Sequence, residues 1–314
     1  MRRFTTILAW TALSSFATGS QAQEAPRVDV VFLLDATGSM GDEIQVVKDR
    51  IREMISDIAL GEPAPDVRFG IVAYRDRGDD YTTRVYPLSR DIDLIVDNLG
   101  EIEASGGGDY PESLNEGLHV AIHEMLWDEA NGVARLVFLI ADAPPHTDYA
   151  DDYDYRDEAQ LAAQFGITVH AIGASGLDEE GERIFKEIAT GTEGQFQWLV
   201  YESRYIAQDG EEVIVRVEGR EATYTKGDST WTAESGGPVT AGGRGSEGGF
   251  DTDDVVLASG DSGAPAGEVE TSTNLDDLIT SAIKDAAAAG GAEYDDATAV
   301  ETSTWGEVKA RTRR

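Results

Sequence analysis

Residues 35–43 read Asp-Ala-Thr-Gly-Ser-Met-Gly-Asp-Glu, directly after the apolar run Val28 to Leu34. A short apolar run bounded by a turn signal predicts a strand covered on both faces. The strand stops on an aspartate, and hydroxyls follow two and four positions later. Asp35, Thr37 and Ser39 thus offer three hard oxygen ligands from one turn while the chain enters a helix. Magnesium, manganese and calcium prefer such oxygen donors to nitrogen or sulfur.

Working outward, Ile44, Val47, Ile51, Met54, Ile55 and Ile58 recur at helical spacing on one face, and Gly61 and Pro63 end that helix. Val67 to Tyr74 reads as the next strand and Thr82 to Pro87 as a short third one. Helical spacing returns at Ile92 to Ile102 and, after the loop Ser105 to Pro111, at Leu114 to Met125. Leu136 to Ala141 is a further buried strand and stops on Asp142. A helix around Gln160 to Phe165, the strand Thr168 to Gly173, the helix Glu179 to Ala189 and the strand Gln195 to Val200 keep the alternation. Repeated β-α units predict an α/β fold, a doubly wound (Rossmann-like), mostly parallel sheet flanked by helices. Such sheets bind ligands beyond the carboxyl ends of their strands, so Asp35 and Asp142 are expected as neighbours.

The rhythm breaks after Val200. Val213 to Val217 and Ala222 to Tyr224 can pair as a hairpin across Glu218-Gly219-Arg220, and 236–267 is rich in glycine and aspartate, a composition that packs poorly. Leu275, Leu278, Ile279, Ala282, Ile283 and Ala286 then form an amphipathic helix with Asn274 as its expected N-cap. Two organisations are open. Either 201–272 is an acidic, glycine-rich insertion before the last helix (273–289) of a domain that starts at 27–200, or the domain ends near 200 and an independent tail follows. The insertion is preferred, with 290–314 as a flexible tail around Trp305.

The 314 residues include 60 acidic and 25 basic ones, a net charge of -35, and 41% are hydrophobic. That field repels nucleic acid and anionic membranes and attracts cations and basic surfaces. Arg2 and Arg3, the apolar stretch Phe4 to Phe16 and the small residues Ser20-Gln21-Ala22 read as a signal peptide spanning 1–22. No other segment is apolar enough for stable membrane insertion after its cleavage. The absence of cysteine excludes disulfides, thiolate metal sites and cysteine nucleophiles. Export without cysteine fits a bacterial periplasm or secretion to the medium.

Asp35-x-Thr37-x-Ser39, with Asp142 at a second strand end, resembles the metal-ion-dependent adhesion site (MIDAS) of von Willebrand factor A (VWA) domains. Many members have Asp-Gly where this chain has Asp142-Ala143. Most place a threonine in the middle loop; here that loop reads Gly106-Gly107-Gly108-Asp109-Tyr110-Pro111-Glu112-Ser113. It resembles the loop of integrin β-subunit VWA-like domains, where Asp-x-Pro-Glu supplies a glutamate. The resemblance implies Asp35, Thr37, Ser39, Glu112 and Asp142 as ligands of a divalent cation (Mg2+, Mn2+ or Ca2+). It also implies Asp109, Asp42 and Glu43 as ligands of flanking cations, although Asp42 and Glu43 serve equally well as first-turn charges of a helix.

Other signals are weighed against plainer readings. His119 and His123 lie four apart, a zinc spacing, but the glutamate falls at Glu124, outside His-Glu-x-x-His; two partly exposed helical histidines are the expectation. His146 is expected at the rim of the site and His170 in the core. Arg77-Gly78-Asp79 matches an integrin-recognition tripeptide and is read as a turn. Asp151, Asp152, Asp154, Asp157 and Glu158 are read as a solvated loop and helix start. Gly242-Gly243-Arg244-Gly245 is one imperfect copy of a calcium-binding repeat. No Ser-His-Asp order, nucleophile elbow or nucleotide loop appears, and Thr37 stands where a phosphohydrolase needs its second aspartate. The expected function is therefore non-enzymatic: cation-dependent adhesion or protein binding, the partner presenting an exposed Asp or Glu. The alternatives are a metal-stabilised structural or assembly module and, less favoured, a metal-dependent phosphohydrolase.

Overall fold

A computed structural model of the chain describes residues 24–206, 211–234 and 271–294. The expected signal peptide, the glycine-rich stretch 236–267 and the tail around Trp305 lie outside these residues.

β1 (Arg27–Asp35) is buried along nearly its whole length because it lies in the middle of a six-stranded sheet. It pairs in parallel with β2 (Asp66–Tyr74) on one side and β4 (Val133–Ala141) on the other. β5 (Ile167–Gly173) and β6 (Phe196–Trp198) extend the sheet in parallel. β3 (Thr83–Ser89) closes the other edge antiparallel to β2, giving the order β3-β2-β1-β4-β5-β6. One face packs against α1 (Gly41–Ile58), α2 (Ile92–Gly100) and α6 (Leu275–Ala289). The other packs against α3 (Leu114–His123), α4 (Tyr155–Gln164) and α5 (Glu179–Gly191). Burial of two aliphatic faces is the dominant favourable term in such a fold.

The expected strand Gln195 to Val200 divides at Leu199, whose amide donates to the Gly173 carbonyl. The chain leaves the first sheet there and begins a second, antiparallel one. That sheet contains β7 (Val200–Ile206), β8 (Glu212–Glu218), β9 (Glu221–Lys226), β10 (Ser229–Glu234) and β11 (Thr271–Thr273), in the order β10-β9-β8-β7-β11. The expected hairpin is its β8-β9 pair, turned at Gly219 with φ 57°. Val213, Val215 and Val217 put the apolar face of β8 into the same core as α1 and α6.

Asn274 does not cap α6 with its side chain. Its Oδ1 accepts from the Val200 amide at 2.8 Å and its Nδ2 donates to the Trp198 carbonyl at 3.0 Å. The side chain therefore fastens the start of α6 to the junction of the two sheets. The Leu275 amide donates to Thr273 Oγ1 instead.

Candidate metal centre

β1, β2 and β4 end at the same edge of the sheet. Leu34 is level with Ile140 and Asp35 with Tyr74, so Asp35 and Asp142 emerge side by side from adjacent strands. The three predicted loops are joined by backbone hydrogen bonds. The Gly38 amide donates to the Gly106 carbonyl and the Ser105 amide to the Ala36 carbonyl. The Glu112 amide donates to the Pro144 carbonyl at 3.0 Å, and the His146 amide donates to the Glu112 carbonyl at 3.1 Å. A short 3-10 turn, Gly38–Met40, leads into α1.

Asp35, Thr37, Glu112 and Asp142 are buried together. Oδ1 of Asp35 accepts from the Thr37 amide at 2.9 Å and the Thr37 hydroxyl at 2.7 Å, and Thr37 Oγ1 lies 3.4 Å from Ser39 Oγ. Asp35 Oδ2, Glu112 Oε2 and Asp142 Oδ1 are buried and have no hydrogen-bond partner among the described residues. Buried polar atoms are almost always satisfied, so three orphaned carboxylate oxygens in one place signal a missing positive partner. Burial raises Asp35 to about 8, helped by the nearby Asp142, and raises Glu112 to about 9, helped by Asp35, Asp76 and Asp142. Burial raises Asp142 to about 6 against the lowering effect of a Ser39 hydrogen bond. Burial and the charges of Asp35, Asp142 and Glu112 push the Tyr74 phenol well up. Carboxylates and hydroxyls are the donors a hard divalent cation takes, so the residues fit the expected ion. Asp35, Thr37, Ser39, Glu112 and Asp142 would hold it.

The flanking residues are placed differently from one another. Asp109 is exposed, and one of its oxygens lies within 4.8 Å of ligand atoms on Asp76 and His146. Glu43 is buried and accepts hydrogen bonds from Ser175 Oγ and, at 3.4 Å, from the Tyr201 hydroxyl. It braces α1 against the loop after β5 and the start of β7. Asp42 lies in the first turn of α1.

Sequence reasoning missed the loop after β2. Asp76 is buried, accepts from Ser113 Oγ at 2.9 Å and lies 3.5 Å from His146 Nε2. Arg75 is buried and donates to the carbonyls of Ala36 and Glu103, tying the first and middle loops. Asp79 accepts from the amides of Gly107 and Asp76, so the Arg77-Gly78-Asp79 turn turns its aspartate inward. Arg77 pairs with Asp151 and Asp152 and stacks on Tyr149. The signal was available: β2 is parallel to β1, so residues 75–79 follow a strand end at the same edge. His146 is buried rather than at an open rim, stacked on Tyr149 and 2.8 Å from Asp148. Glu158, expected in a solvated run, is buried.

A family model described as von Willebrand factor type A domain matches residues 29–208. The chain is 36% identical over 136 residues to alpha-protein kinase vwkA of Dictyostelium discoideum, covering 41% of this chain and 21% of that protein. It is 36% identical over 97 residues to von Willebrand factor A domain-containing protein 7 of Homo sapiens, covering 31% of this chain and 10% of that protein. The chain thus spans about a fifth or less of the length of these relatives. Among solved structures, proximal thread matrix protein 1 from the mussel byssus, described with a zinc occupied MIDAS motif, superposes with a TM-score of 0.44 at 19% identity. That match covers 55% of this chain and 42% of the mussel chain. BatB from Bacteroides thetaiotaomicron superposes with a TM-score of 0.39 at 17% identity, over 55% of this chain and 89% of that one. With the family model matching more than half of its length, the chain belongs to the von Willebrand factor type A domain family.

Proposed function

We propose that the chain is an exported, divalent-cation-dependent protein-binding module, active in a bacterial periplasm or after secretion, and not an enzyme. The observation behind this reading is the trio of orphaned, buried carboxylate oxygens on Asp35, Glu112 and Asp142 at the carboxyl edge of the sheet. Thr37 and Ser39 add hydroxyls on the same turn. With a divalent cation held by these residues, the site would offer Lewis-acid attraction for a carboxylate oxygen of the partner protein. Asp35 and its Thr37 hydrogen bonds orient the first loop. Glu112 supplies the middle-loop ligand in the manner of the integrin β-subunit loop it resembles. Asp109, with Asp76 and His146 nearby, is the proposed flanking cation position. Export rests on the amino-terminal basic and apolar pattern.

Three carboxylates around one divalent ion overcompensate its charge. Metal affinity is thereby raised, and attraction for an incoming anion is lowered. Partner capture is accordingly metal-dependent and weak unless a flanking cation offsets the surplus. Calorimetric Mg2+, Mn2+ and Ca2+ titration of wild type and Asp35→Ala, followed by capture with and without chelator, tests the reading. Metal-dependent capture that is lost in Asp35→Ala supports it. Metal-dependent melting with chelator-resistant capture replaces it with a structural module, and turnover lost in Asp35→Ala replaces it with an enzyme.

A further inference from the structure

On the face of the sheet away from α1, two histidines one helical turn apart meet a carboxylate from the neighbouring helix. His119 and His123 lie on α3, and Glu158 lies in the first turn of α4. His119 Nδ1 is 3.1 Å from Glu158 Oε1, and His123 Nε2 is 3.1 Å from Glu158 Oε2. One ligand atom from each residue lies within 4.8 Å of the others. The Glu158 side chain is only 5% exposed, whereas the imidazoles are 24% and 28% exposed. Among the described residues no Lys or Arg pairs with Glu158, so its neighbours of potential positive charge are these two rings.

The rings are held. Tyr153 stacks on His119 at 3.6 Å and 5°, and Phe165 meets His123 edge-on at 5.7 Å. A tetrahedral ion with bonds of about 2.0–2.1 Å spaces its ligand atoms about 3.3 Å apart. Each histidine stands 3.1 Å from a different Glu158 oxygen, close to one such edge, and with one oxygen as ligand the three donor atoms lie within 4.8 Å of one another, so a small closing shift brings them onto one ion. Two imidazoles and a carboxylate suit Zn2+ and its neighbours Co2+, Ni2+ and Cu2+, and suit Mg2+ or Ca2+ poorly.

We propose that His119, His123 and Glu158 form a second metal site, selective for a borderline transition-metal ion, with Zn2+ the preferred occupant. Because both imidazoles are partly exposed, water would complete the ion's coordination. None of the three residues belongs to the oxygen-lined centre. His119 and His123 lie about 8 and 14 Å along the axis of α3 from Leu114, where that helix leaves the middle loop. α4 follows the loop that begins at Asp142. An ion here thus clips together the two helices that lead away from the middle and third loops.

The test is a Co2+ and Zn2+ titration of the full chain in excess Mg2+, read by calorimetry and by visible absorption of Co2+. Wild type and Asp35→Ala are expected to bind one ion with the intense visible bands of tetrahedral Co2+. His123→Gln and Glu158→Gln are expected to lose at least about tenfold in affinity, the smallest loss that even removing a hydrogen-bond partner of a metal ligand brings. Far-UV circular dichroism and Mg2+ affinity confirm that each variant is folded, and His119→Gln, at a partly exposed position, replaces one that is not. Undiminished Zn2+ affinity in the folded variants overturns the proposal. So does loss of all Zn2+ binding in Asp35→Ala, which places the ion at the oxygen-lined centre, and so does an absence of Zn2+ binding by wild type.

Discussion

Asp29 and Asp35 lie on the same central strand, both buried, and among the described residues only Asp29 is paired with a cation. The Arg68 guanidinium grips Asp29 with two hydrogen bonds of 2.7 and 2.5 Å, and the Asp128 amide donates to it as well. Asp35 has the Thr37 amide and hydroxyl on one oxygen and, among the described residues, no hydrogen-bond partner on the other. A buried carboxylate is costly unless charge and hydrogen bonds compensate it. The strand supplies that compensation at its amino-terminal end from the chain itself, and the cation proposed above would supply it at the other end.

The first prediction is a pH dependence. Folding lifts Asp142 to about 6, Asp35 to about 8 and Glu112 to about 9, from ordinary values of 3.8, 3.8 and 4.5. In metal-free protein between about pH 4 and 9, the folded state keeps protons that the unfolded chain has released. Stability must therefore fall as pH rises through that window. The melting temperature of chelated protein is expected to decline from about pH 5 to about pH 9, and less steeply in Glu112→Gln. Saturating Mg2+ flattens the decline, because ion binding needs the carboxylates ionised and expels their protons. A chelated protein that melts higher at the alkaline end contradicts the buried-carboxylate account.

Neighbouring glycines of the middle loop should respond very differently to a methyl group. Gly107 has φ +69°, and a Cβ there would stand 2.7 Å from Glu112 Oε1 and 3.1 Å from Thr37 Cβ. Gly108 has no atom within 4 Å of its would-be Cβ and no positive φ. Gly107→Ala is expected to cost about 1–2 kcal/mol from the left-handed backbone alone, and to weaken Mg2+ binding by displacing Glu112. Gly108→Ala should be close to neutral in both. Urea denaturation and Mg2+ calorimetry on the pair decide it; equal effects would mean that Gly107 does not pack over the ligands.

Much of this was legible in the chain. β1 and β4 announce themselves as apolar runs that stop on Asp35 and Asp142, and parallel β-α units oblige both to emerge at one edge. The second sheet was legible only as the β8-β9 hairpin. β7 reads as a continuation of β6, and β11 is three residues long. The loop of Arg75, Asp76 and Asp79 went unread because its residues act through contacts with distant backbone, at Ala36, Glu103 and Gly107. Glu158 looked like one charge in an acidic run. Its position on the inner face of α4, against His119 and His123, is a property of helix packing rather than of spacing along the chain.

Glu43 separates a brace from a cation ligand. Its carboxylate accepts from Ser175 and Tyr201 hydroxyls inside the fold. Glu43→Ala is expected to cost about 1–3 kcal/mol by removing the acceptor that the buried Tyr201 and half-buried Ser175 hydroxyls share, while the Mg2+ affinity of the folded protein stays where it was. Asp109→Ala should do the reverse, leaving stability unchanged and lowering the number of Ca2+ ions bound. Loss of Mg2+ affinity in Glu43→Ala at unchanged stability would instead make Glu43 a cation ligand, the role the resemblance implies.

Glu112 sets the balance between holding the ion and offering it to a partner. Its side chain lies with Asp35 and Asp142, and each raises its pKa. Glu112→Thr keeps an oxygen donor on the loop and removes one negative charge from the ion's surroundings. A unit charge about 4 Å away is worth up to about 4 kcal/mol at an effective dielectric constant near 20, and solvent reduces this. A net change of about 1.4 kcal/mol, roughly tenfold in affinity, is the expected scale. Mg2+ should bind more weakly to Glu112→Thr, and acetate, standing in for the partner carboxylate, should bind more tightly to the Mg2+-saturated variant than to saturated wild type. Two opposite shifts from one substitution are the signature of a charge effect. If both affinities fell together, Glu112 would be acting on loop structure, and the surplus of negative charge would not be what limits partner capture.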